Sequence, residues 1–73
     1  MTEKEADELF QFLLDGAVRK LIHCMIAEGN TEVEIMKEVE EIQKVYKREN
    51  TPKGVLISAS KETLMEFVRA CQD

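Results

Sequence analysis

The sequence predicts an all-α domain, or a mainly α one with a single short strand: three helices, intertwined with a second copy as a homodimer. Three observations predict it. Apolar residues recur at helical spacing through most of the 73 residues. Two breakers, "GNT" at Gly29–Thr31 and "NTPKG" at Asn50–Gly54, cut the chain into helix-sized pieces. The first piece carries more apolar surface than two modest helices of the same chain would cover.

The first helix is expected from about Glu3 to Glu28. Ala6, Leu9, Phe10, Leu13, Leu14, Ala17, Leu21, Cys24 and Met25 define one broad apolar face. Val18, Ile22 and Ile26 form a second row that widens it. The polar arc is narrow, with Glu5, Glu8, Asp15, Arg19 and His23, and Phe12 falls at its edge. Gly16 sits inside the pattern and costs about 1 kcal/mol against alanine. The periodicity keeps its phase across it, so one long helix is expected rather than two short ones.

Gly29 suits the left-handed residue that ends a helix. Thr31 followed by Glu34 fits a capping box, in which hydroxyl and carboxylate each satisfy a backbone N–H of the other. The second helix is then expected over about 32–49, with Ile35, Val39, Ile42 and Tyr46 as a single buried seam. Residues 50–59 read as turn and extended chain. Within them, "VLIS" from Val55 favours a strand. It is either an apolar linker pinned on the core, or a strand paired with the same segment of a second subunit, or an edge open to a target. Ser60 is placed to cap a third helix of about Lys61 to Cys71, striped by Leu64, Phe67, Val68 and Cys71. The whole chain, 1–73, reads as one domain.

A domain this small has a thin core and needs a staple. Cys24, Cys71 and His23 do not have zinc-ligand spacing, and two cysteines allow one disulfide at most. Association therefore becomes the expected staple. The dimer interface is expected to use Leu9, Phe10, Leu13, Leu14, Ala17, Leu21 and Met25, with Val55 and Ile57 added from "VLIS". Met1 opens an acidic stretch and no apolar run reaches about 18 residues, so neither a signal peptide nor a membrane span is expected. A reducing cytoplasm follows as the expected compartment.

The net charge is −5 and it is unevenly spread. Residues 1–41 hold eleven acids and four bases, while residues 42–73 hold four acids and six bases. The acidic front repels nucleic acid and steers toward a cationic surface. Lys44, Lys47, Arg48 and Lys53 form the one basic cluster, a small anion patch or simply a helix end whose cations offset the backbone dipole.

"AEGNTEVEIMKEV" (Ala27–Val39) resembles the turn into the second helix of helix–turn–helix proteins such as LuxR-type response-regulator domains. The resemblance covers about thirteen residues, and a capping box generates most of it. It would imply a second turn and a recognition helix. Val39–Gln43 instead continues the helical pattern. A DNA-binding regulator with a degenerate motif is therefore the alternative reading, and a redox-sensitive thiol protein is the second. No catalytic residue, cofactor or metal is expected. His23 and Cys24 are neighbours that point about 100° apart on a helix. His23 is expected exposed and Cys24 buried. The function expected is that of a small acidic adaptor or regulator that binds itself and another protein with a basic surface. Glu34, Glu38, Glu41 and Phe12 would make the partner-binding face.

Overall fold

A computed structural model describes residues 2–46 and 55–72. Those residues form three helices, α1 (Glu3–Ala27), α2 (Glu32–Tyr46) and α3 (Lys61–Gln72), with a 3₁₀ turn at Leu56–Ser58 before α3. No strand occurs among the described residues. The segment read as strand or linker is a 3₁₀ turn laid on the core, with Leu56 and Ile57 both buried. Non-local hydrogen bonds explain why. The Asp15 carboxylate of α1 accepts from the Leu56 N–H at 2.7 Å. The Gln43 side-chain amide of α2 donates to the carbonyls of Leu56 and Ala59 at 2.9 and 3.0 Å. These partners hold backbone groups that a strand would have offered to a neighbour.

Side-chain caps fix the helix starts. Thr2 accepts from the Glu5 N–H, and Ser60 accepts from the Thr63 N–H. At α2 the capping box is reciprocal: Thr31 Oγ1 accepts from the Glu34 N–H, and Glu34 Oε1 accepts from the Thr31 N–H. Gly29, at φ +85°, ends α1. The Asn30 N–H reaches Met25 O and the Gly29 N–H reaches Ile26 O, the paired bonds of a Schellman motif. The corner between α1 and α2 is thus set by local chemistry.

That corner makes a testable statement. Accepting the Thr31 bonds holds the Glu34 carboxyl below its ordinary pKa, the backbone bond contributing most. A carboxylate with a depressed folded pKa stabilises above its unfolded value and loses that contribution as pH falls through the folded pKa. Glu34→Gln is therefore expected to melt below the parent at neutral pH and to match it once both side chains are neutral in acid. Thermal unfolding across the acid range reads this. Thr31→Ala removes the cap itself and is expected to cost about 1 kcal/mol at neutral pH.

The core is built from Val18 and Ile22 of α1, Ile35, Met36 and Val39 of α2, Leu56, and Leu64 and Val68 of α3. The narrower second row of α1 turns inward. Of the broad row, Leu14, Leu21 and Met25 are half-buried, whereas Leu9, Phe10, Leu13, Ala17 and Cys24 are exposed. The reason is geometric: α2, α3 and the 3₁₀ turn together need only one stripe of α1 to close a core. Gln11 also turns inward, donating to Asp7 at 2.8 Å.

The molecule measures 41 × 20 × 19 Å. A 25-residue helix is about 37 Å long, so the long axis is close to the length of α1. Asp15, Val18 and Ile22, which tie α1 to the other elements, all lie at or beyond its midpoint.

Candidate functional site

Two surfaces stand out. The first lies between α2 and α3. There Val33, Met36 and Met65 line a groove of about 390 Å³, rimmed by Glu32, Lys37, Glu40 and Lys61. Met36 is both a core residue, 6% exposed, and a wall of the groove. Methionine side chains adapt to varied apolar partners. Glu32 is tied down, pairing with Arg69 of α3 at 3.2 Å. That ion pair joins the start of α2 to the end of α3 beside the groove.

On the outer side of α2, Glu34, Glu38 and Glu41 follow one another at spacings of four and three and are exposed. Glu41 meets Lys44 at 3.6 Å. Lys47, Arg48 and Lys53 lie outside the described residues, so of the expected anion patch the structure places Lys44 alone, exposed at the end of α2. Phe12 is 72% exposed on the outer side of α1.

The second surface is that outer side of α1. Leu9, Phe12 and Leu13 are 48%, 72% and 60% exposed. Phe10 lies at its margin, its ring 6.3 Å from that of Tyr46. Ile57, expected at an intersubunit contact, is instead buried within the chain's own core, and Val55 is half-buried beside it.

A third cluster joins α1 to α3. Cys71 Sγ lies 3.7 Å from His23 Nε2, the His23 ring meets Phe67 edge-on at 6.3 Å, and the Arg19 guanidinium stands 4.9 Å over the Phe67 ring. Arg19 is itself paired with Asp15 at 2.7 Å. His23 therefore meets Cys71, 48 residues away, and both cysteines are free thiols. Cys24, expected to be buried, is exposed. No group of three or more His, Cys, Asp or Glu among the described residues is arranged to hold a metal ion. No described helix is long and apolar enough to cross a membrane.

α2 runs unbroken through Val39–Gln43, where the helix–turn–helix resemblance would require a turn. No family model matches the sequence, and comparison with curated proteins and with solved structures finds no match.

Proposed function

We propose that this chain is a non-catalytic binding protein, an acidic adaptor or regulator that docks a basic, amphipathic segment of another protein on α2 and α3. The observation that carries the reading is the methionine-lined groove with Glu40 on its rim, on a helix rich in carboxylates. An apolar anchor of the partner fills the space between Met36 and Met65. A cation flanking that anchor meets Glu40 on the rim, and α2 carries five acids against two lysines. Apolar burial supplies affinity, and the carboxylates supply steering and register.

A helical peptide of alternating leucine and lysine turns is the probe that tests it. Titrated into the ¹⁵N-labelled protein, it is expected to shift the amides of Val33, Met36, Glu40 and Met65. Binding weakens with added salt and is lost in a Met65→Glu, Glu40→Lys double variant. Shifts confined to other surfaces, or binding that the double variant leaves intact, contradict the reading.

The Cys71–His23 contact favours a second reading, thiol chemistry at Cys71, because a ring nitrogen at that distance is placed to take the thiol proton. Its signature is a Cys71 alkylation rate whose pH profile moves when His23 becomes Gln. An unchanged profile removes it.

A further inference from the structure

We infer that the outer face of α1 is a self-association surface, on which two copies pair antiparallel about a two-fold axis near Phe12 and Leu13. This goes beyond the binding reading above and uses none of its residues.

The face is a single stripe. Glu5, Leu9, Phe12, Leu13, Gly16 and Lys20 recur at three- and four-residue spacings, and all six are exposed. Its centre is apolar. Leu9, Phe12 and Leu13 leave roughly 350 Å² of side chain uncovered per copy. Two such patches with their polar margins approach the roughly 1,000 Å² that a specific interface requires.

Charge selects the occupant and its direction. Upstream of the apolar centre stand Glu3, Glu5, Asp7 and Glu8 with only Lys4 against them. Downstream, Arg19 is held by Asp15, and Lys20 is exposed with no ion-pair partner among the described residues. A parallel pair would set the acidic ends side by side. An antiparallel pair sets Glu5 against Lys20 of the partner subunit, twice by symmetry. It also opposes the two helix dipoles. Glu5 and Lys20 lie equally far from the Phe12–Leu13 midpoint, so one register serves both contacts.

Gly16 fits the same register. It lies as far from the midpoint as Leu9 does, so Leu9 of the partner subunit sits over it. Nothing in its own chain comes within 4 Å of where a Cβ would stand. A mid-helix glycine with no crowding in its own chain gains its use when a second helix approaches there.

Charge exchange tests the arrangement by sedimentation equilibrium. The parent chain is expected to dimerise. Glu5→Lys and Lys20→Glu, both at exposed positions, are each expected to weaken the dimer at least tenfold, because each sets like charges against one another at both ends. An equimolar mixture of the two variants is expected to recover the parent association, since every contact is then again between opposite charges. Circular dichroism confirms the helix content of each variant, and Leu13→Glu supplies an independent disruption of the centre. A monomeric parent overturns the inference. So do single variants that associate as the parent does, or a mixture that shows no recovery.

Discussion

Leu64→Ala is expected to bring the protein to the edge of unfolding. Leu64 is completely buried and stands where α3 meets the rest of the core. Truncating a buried leucine costs about 2–5 kcal/mol, through lost transfer energy and the cavity left behind. A domain of fewer than about 80 residues rarely draws more than 3–5 kcal/mol from a single core. The change therefore removes most or all of the margin, and urea unfolding at low protein concentration should show a midpoint near zero denaturant. Leu13→Ala is the matched control. Leu13 is 60% exposed, so the same truncation should move the monomer's stability by no more than about 0.5 kcal/mol. A loss at Leu13 as large as that at Leu64 would mean that the outer row of α1 is packed within the chain's own core.

The second large effect is expected at Asp15. One carboxylate oxygen accepts from the Leu56 N–H and the other from Arg19, both at 2.7 Å. Leu56 is 2% exposed, so Asp15→Ala strands its N–H away from water. Losing a charged acceptor to a buried donor costs about 1.5–3 kcal/mol. Asp15→Asn keeps an acceptor oxygen for Leu56 and gives up the Arg19 pair, which is half-exposed and worth at most about 1 kcal/mol. The expected order of stability is parent, then Asn, then Ala, with the larger step at Ala. Equal losses for the two variants would assign the stabilisation to the ion pair rather than to the 3₁₀ turn.

These two positions mark what was legible in the sequence and what was not. The three helices and their ends were written locally. Thr31 with Glu34, Gly29 and Ser60 each act through neighbours within four residues, and spacing alone exposes such signals. The conformation of "VLIS" depends on Asp15 and Gln43, which lie 41 and 13 residues from Leu56. Three consecutive apolar residues have no periodicity of their own, so strand and pinned linker could not be separated. The inward face of α1 was ambiguous for a related reason. Its apolar residues span more than half the circumference, and spacing alone does not say which row meets the chain's own core. The packed elements needed only the stripe through Val18 and Ile22. At the candidate site, the α2 carboxylates were readable from their spacing. The facing of Met36 and Met65, and the contact of His23 with Cys71, required the packing of α3.

The central claim is that the outer face of α1 is an interface. Light scattering over a hundredfold dilution series, comparing the parent chain with Leu13→Glu, tests it most directly. The account predicts the mass of two chains for the parent at the upper concentrations and the mass of one chain for Leu13→Glu throughout, with both equally helical. A parent that stays at the mass of one chain across the series would contradict it.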